Sequence, residues 1–167
     1  MAKTVPYKNA WVALALTRIA LGFVFLWAFL DKTFGLGFAT KPAAAWVAGG
    51  SPTTGFLKFG VNQFSPLHDF FVGLAGNVWV DWLFMAGLLG IGVALILGVG
   101  VRIAAFTGTA LLFMMWAAEV PLANNPLIDE HIVYAMVLWV VAFGRRELSL
   151  AGWWLKQPSV KKQPWLW

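Results

Sequence analysis

The chain is 167 residues long, 60% hydrophobic and only 11% charged, with a formal net charge of +5. Soluble domains carry roughly 25% charged residues, so this composition excludes an ordinary soluble protein and fits one membrane domain, 1–167, with room for four spans of about 20 residues. There is no cysteine, which removes disulfides, iron–sulfur clusters, thiolate metal sites and protein persulfides.

The first apolar run, residues 10–30, is interrupted only by Thr17 and Arg18 and has the length of a span. A cleaved signal peptide has a shorter apolar core and a small-residue cleavage site, and neither precedes Asp31 and Lys32, so a retained helix is expected. Residues 31–79 are too polar and too rich in glycine and proline to cross. Their apolar pieces, 42–47 and 56–75, predict short interfacial or re-entrant helices within a long outward loop. The second span is 80–98, in which Gly87, Gly90, Ala94 and Gly98 form a small-residue stripe suited to the close approach of another helix. A tight glycine turn at 98–102 leads straight into a third span, 101–118, which Glu119 and Pro121 end.

For the fourth span, Asn125 as N-cap and Pro126 in the first helical position predict a helix over 126–144. At about 1.5 Å per residue that is long enough to cross, and it places Asp129, Glu130 and His131 inside the helix. Residues 147–157, with Leu148, Leu150, Trp153, Trp154 and Leu155, predict a C-terminal interfacial helix. Lys161, Lys162, Trp165 and Trp167 would hold the rest of the tail, to 167, at the surface. The expected fold is therefore an all-α integral membrane protein, a four-transmembrane-helix bundle.

Eight basic residues (Lys3, Lys8, Arg102, Arg145, Arg146, Lys156, Lys161, Lys162) fall on the side of the termini and three (Lys32, Lys41, Lys58) on the other. That asymmetry predicts a multi-pass protein of the cell (inner) membrane with both termini cytoplasmic. The positive charge then reports topology and attraction to anionic lipid, and no nucleic-acid partner is expected.

Among groups able to do chemistry, Arg18 stands out because a charge deep in a span is costly and faces the bundle or a wet cavity. It either locks the bundle through a carboxylate or helix carbonyls, or contacts an anion or a quinone carbonyl, with Lys32 on the same side of the helix fourteen residues later. Glu130, His131 and Tyr134 are expected to share one stripe, where an acid, an imidazole and a phenol could pass protons. The competing reading is that Asp129 and Glu130 only complement the positive end of the helix dipole. Phe25, Trp27, Trp82 and Trp116 could sandwich a quinone ring, although an aromatic belt at the interface predicts the same residues. Asp31, Asp81 and Glu119 read as solvated caps. His68 and His131 lie in unrelated segments without metal-ligand spacing, so neither a metal nor a covalent cofactor is expected.

Five segments carry a family likeness: Arg18-Ile-Ala-Leu-Gly22, Phe25-Leu-Trp27-Ala-Phe-Leu-Asp31-Lys32, Gly49-Gly50-Ser51-Pro52-Thr53, Trp79-Val-Asp81-Trp82 and Asn124-Asn125-Pro126-Leu-Ile-Asp129-Glu130-His131. Together they resemble the DoxX/DoxD family of four-helix membrane proteins from about Thr17 to Trp154. The long first loop and the Asn-Asn-Pro segment look most like the DoxD branch. That resemblance implies oxidation of thiosulfate to tetrathionate with electrons passed to a membrane quinone as substrate, beside a small DoxA-like subunit. Other members of the family look like non-catalytic scaffolds that gather soluble redox enzymes at the membrane. A homo-oligomer is also open. In the mechanism expected from this likeness, Arg18 and Lys32 stabilise an anion in a low-dielectric site, and Glu130, His131 and Tyr134 supply protons to the reduced quinone.

Overall fold

The structure, a computed structural model, describes residues 7–166, and all regular secondary structure among them is helical. Three helices are long and apolar enough to cross a membrane: α1 (Lys8–Phe34), α4 (Val78–Leu97) and α5 (Val101–Glu119). Between α1 and α4 the chain forms two single 3₁₀ turns, Pro42–Ala44 and Trp46–Ala48, and two short helices, α2 (Thr54–Phe59) and α3 (His68–Gly73). After α5 come α6 (Glu130–Phe143), α7 (Ala151–Trp154), α8 (Pro158–Lys161) and a last 3₁₀ turn, Pro164–Leu166. The N-terminal Lys3 and the terminal Trp167, both invoked for orientation or anchoring, lie outside the described residues.

Helix α1 continues past its expected end at residue 30 and takes Asp31 and Lys32 into its last turns. Asp31 does not break the helix, because its carboxylate accepts hydrogen bonds from the Phe38 and Ala39 N–H groups beyond the helix end. Termination falls instead to Gly35, whose left-handed backbone (φ 64°) lets its N–H return to the Asp31 carbonyl at 2.7 Å. At the far end of α4, the turn into α5 uses left-handed Gly98 and Gly100 (φ 68° and 58°), as its brevity requires.

The helices pack chiefly as two pairs, α1 with α4 and α5 with α6, joined through the α4–α5 contact. Close approach in the first pair depends on glycine. A Cβ on Gly92 would lie 2.7 Å from the backbone nitrogen of Leu26, and one on Gly22 2.9 Å from that of Ile96. In the second pair, a Cβ on Gly108 would lie 2.7 Å from the Leu138 side chain. Of the predicted stripe of Gly87, Gly90, Ala94 and Gly98, the first three do not serve this purpose, and Gly98 belongs to the turn into α5. Helix α4 turns Met85, Leu88, Gly92 and Leu95 inward, which leaves Gly90 with nothing within 4 Å. Those three line an open groove of about 380 Å³ shared with α5 and with Trp154 and Leu166 of the tail.

The expected helix over 126–144 is shorter than predicted. The Asn125 carboxamide oxygen accepts from the N–H groups of Leu127 and Ile128 and closes a local turn, and the Trp116 indole holds the Leu127 carbonyl at 3.0 Å. The helix starts only where Asp129 caps it, its side chain accepting from His131 N and Ile132 N. At 14 residues α6 is about 21 Å long, short of the roughly 30 Å hydrocarbon core. The single C-terminal interfacial helix is likewise replaced by two one-turn helices, separated where Pro158 offers no N–H to extend α7. The tail folds back onto the bundle: Leu150 N–H donates to the α4 carbonyl of Leu97, and Ala151 and Val160 are buried.

These contacts separate the glycines sharply. Gly92→Val should destabilise the protein by about 1–3 kcal/mol through overpacking against Leu26. Gly90→Ala, with open space around its Cβ, should leave the thermal unfolding midpoint in detergent unchanged or slightly raised.

Candidate functional site

Arg18 faces inward, as its cost in lipid requires, and is 4% exposed. Its Nη1 donates to the carbonyls of Leu95 and Ile96, and its Nη2 to those of Glu147 (3.1 Å) and Leu148 (2.8 Å). Leu95 and Ile96 lie in the last turn of α4, where carbonyls lack helical partners and the dipole favours a cation. A Cβ on Gly98 would collide with both Arg18 and Ser149, so the turn glycine also leaves room for the guanidinium. Of the two sequence readings, the carbonyl lock is the one that the contacts display.

This lock sits at the end of the bundle where α4 hands over to α5. Lys32 is fourteen residues further along α1, about 21 Å away, and the 19-residue α5 puts Glu119 about 27 Å from Val101. Arg18 is therefore brought together neither with Lys32 nor with His131, and the paired anion site expected from sequence is not assembled.

The opposite end is built on buried carboxylates. Asp31 and Asp81, expected as solvated caps, are only 2% and 5% exposed. Asp81 accepts from Ser51 Oγ (2.9 Å), Thr53 N (3.2 Å) and Thr53 Oγ1 (2.6 Å), and Asp31 holds the backbone of Phe38 and Ala39. Each thereby ties part of the 35–77 segment to a long helix, and such charge-assisted bonds are what make a buried carboxylate tolerable.

Folded in this way, the segment roofs an apolar cavity of about 200 Å³. Its walls include Phe56 and Leu57 of α2, Phe71 of α3, Phe84 of α4 and Met114 and Met115 of α5, and Lys32 is its one charged lining residue. The Lys32 ammonium lies 5.9 Å from the centre of the Phe84 ring, a cation–π distance. No carboxylate among the described residues forms an ion pair with it. None of the four aromatics proposed for a quinone ring lines this space. Phe25 is buried in the core, Trp27 packs edge-on against Phe38, Trp82 against Trp46, and Trp116 stacks on Phe113.

At the same end, Glu119, Asp129 and His131 come together, one ligand-type atom of each lying within 4.8 Å of the other two. His131 is buried, and its Nδ1 lies 2.9 Å from Asp129 Oδ2 while Asp129 Oδ1 caps the helix. Burial opposes ionisation of Asp129, but the hydrogen bonds from the His131 ring and from the Ile132 and His131 amides prevail and hold its carboxyl below the usual aspartate range. The predicted stripe of Glu130, His131 and Tyr134 is not one face. Consecutive helical residues point about 100° apart, and with His131 inward, Glu130 and Tyr134 are exposed. Glu119 and Asp129 are the partners that sequence reasoning set aside as caps. The signal that could have found them is the short connection from 120 to 129, which keeps the end of α5 beside the start of α6.

No protein-family model, no curated protein and no solved structure matches the chain.

Two outcomes follow from the site geometry. Arg18→Met removes a charged donor set and strands the Leu95 carbonyl in the interior, so it should cost at least roughly 1.5–3 kcal/mol, read as a lowered unfolding midpoint together with new protease cleavage after Arg145 or Arg146. For Asp129, a folded pKa below the unfolded one means that its stabilising contribution is complete above the aspartate range and is lost as pH falls through the depressed folded value. Unfolding midpoints followed downward from about pH 7 should therefore show an acid limb in the wild type that is reduced in Asp129→Asn.

Proposed function

We propose that the chain is the quinone-binding membrane subunit of a quinone-linked sulfur oxidoreductase of the DoxX/DoxD kind, with the quinone ring held in the Lys32 cavity. The observation that carries this reading is the cavity itself: about 200 Å³ of apolar and aromatic wall with one cation that forms no ion pair with a carboxylate of the described residues. That volume is below the roughly 300–1,000 Å³ of sites for drug-sized ligands, which suits a single ring whose isoprenoid tail lies in lipid. The Lys32 ammonium can donate to a quinone oxygen and favour the negative charge that develops there on reduction. Aromatic and thioether side chains from Phe56, Phe84, Met114 and Met115 offer the ring its apolar contacts.

In this reading α6 is the fourth crossing, its short length met by local thinning of the bilayer. The distribution of basic residues keeps both termini cytoplasmic, and the Lys32 end opens to the other side. The reaction joins two thiosulfate dianions through a new S–S bond as tetrathionate, releasing two electrons. The quinone accepts these with two protons. With no cysteine in the chain, oxidation of the sulfur substrate is assigned to a partner subunit.

A second reading, a non-catalytic scaffold for redox enzymes, is favoured by the use of Arg18, Asp31 and Asp81 as structural ties. Assays on the purified chain separate the two. A soluble ubiquinone analogue should bind saturably, Lys32→Met should weaken it at least tenfold, and Lys32→Arg should retain most of the affinity. Undiminished binding by Lys32→Met, or none by the wild type, would overturn the quinone site and leave the scaffold.

A further inference from the structure

We infer that Glu119, Asp129 and His131 form a binding site for one divalent first-row transition cation of the Zn²⁺ class, joining the end of α5 to the start of α6. The site lies outside the Lys32 cavity and does not depend on quinone binding. Its direct donors, one imidazole and one carboxylate with a second carboxylate behind the imidazole, suit Zn²⁺ and its neighbours rather than a soft Cu⁺ ion.

The imidazole is prepared for such a role. Asp129 Oδ2 lies 2.9 Å from His131 Nδ1, and in the tautomer in which Nδ1 donates to that carboxylate the Nε2 lone pair is the one open to a metal ion. This carboxylate–imidazole arrangement is the one that orients histidine ligands in metal sites. Asp129 is itself immobilised, because its other oxygen accepts from the His131 and Ile132 amides. The pair is also screened from solvent, with side-chain exposures of 9% for His131 and 12% for Asp129.

Glu119 supplies the second direct ligand. It sits at the last position of α5, and no described hydrogen-bond donor satisfies its carboxylate. One ligand-type atom from each of the two carboxylates and the imidazole lies within 4.8 Å of the other two, a concentration of donors that a divalent cation can bridge. Tetrahedral coordination with bonds of about 2.1 Å separates ligand atoms by about 3.4 Å. The contraction needed is within the reach of a half-buried glutamate side chain at a helix terminus. His131 Nε2 and Glu119 then hold the ion directly, Asp129 orients the imidazole, and water fills the remaining positions.

Helix α3 provides an internal control. His68 and Asp69 make the same His–Asp contact at 3.0 Å, but Asp69 is fully exposed and no third ligand-type group among the described residues accompanies them. The test uses the full chain purified in detergent, stripped with a chelator, titrated with Zn²⁺ against a competing indicator dye and assayed for bound metal. The wild type and His68→Gln should retain about one equivalent. Glu119→Gln and His131→Gln should each bind at least tenfold more weakly, and Asp129→Asn should lose 10- to 100-fold, the range for a residue that orients a ligand. Zn²⁺ should raise the unfolding midpoint of the wild type but not of Glu119→Gln. The site is overturned if the stripped wild type takes up no equivalent, if Glu119→Gln keeps wild-type affinity, or if His68→Gln loses the ion. Should His131→Gln fail to fold, Glu119→Gln, a change at the half-buried end of α5, decides the matter alone.

Discussion

A guanidinium inside the helix bundle must satisfy its donors without water, and the way Arg18 does so organises the molecule. Its acceptors are backbone carbonyls from two places far apart in sequence, the last turn of α4 and the loop before α7. One side chain on α1 therefore caps the end of α4, ties down the loop that follows α6 and holds the start of the C-terminal tail against the bundle. The tail adds its own tie through Leu150 to the Leu97 carbonyl. With its donors engaged in this lock, that end is structural, and an anion would have to displace carbonyls that have no other helical partner.

The other end is made differently. There, buried carboxylates face outward along the chain to the backbone and hydroxyl groups of the long connection between α1 and α4. Asp31 and Asp81 hold that connection down, and holding it down creates the cavity beside Lys32. Asp129 does similar work for α6 and in the same contacts orients His131. The two ends thus divide the labour: carbonyl capping by a cation at one, and carboxylate capping with an open cavity and an ionisable cluster at the other.

Much of the helical framework was legible in the sequence, because long apolar runs dictate it. The runs at 10–30, 80–98 and 101–118 correspond closely to α1, α4 and α5. What escaped reading depends on which group captures a helix end or turns inward. Asn125-Pro126 has the signature of a helix start, yet the Asn125 side chain is spent on its own turn and Asp129 takes the cap. Gly87, Gly90 and Ala94 form a tidy stripe, but Gly22, Gly92 and Gly108 are the glycines at the contacts, since only packing reveals which face is inside. The inward turn of Arg18 followed from its charge, whereas its partners did not, being carbonyls 77 to 130 residues away. The Lys32 cavity was invisible for a similar reason, with walls drawn from α1 to α5 and the segments between. Glu119 reads as a solvated cap until the short connection from 120 to 129 is seen to bring the end of α5 beside His131.

The division of labour between the two ends can be addressed most directly by photoaffinity labelling of the purified protein with an azido-quinone, followed by peptide mapping. Saturable adducts confined to the cavity walls, on peptides carrying Lys32, Phe56, Phe84 or Met114 and Met115 and competed by unlabelled quinone, are the expected result. Competed adducts clustered instead around Arg18, Val101 and Trp154 would place the ligand at the end assigned here to structure and contradict that division.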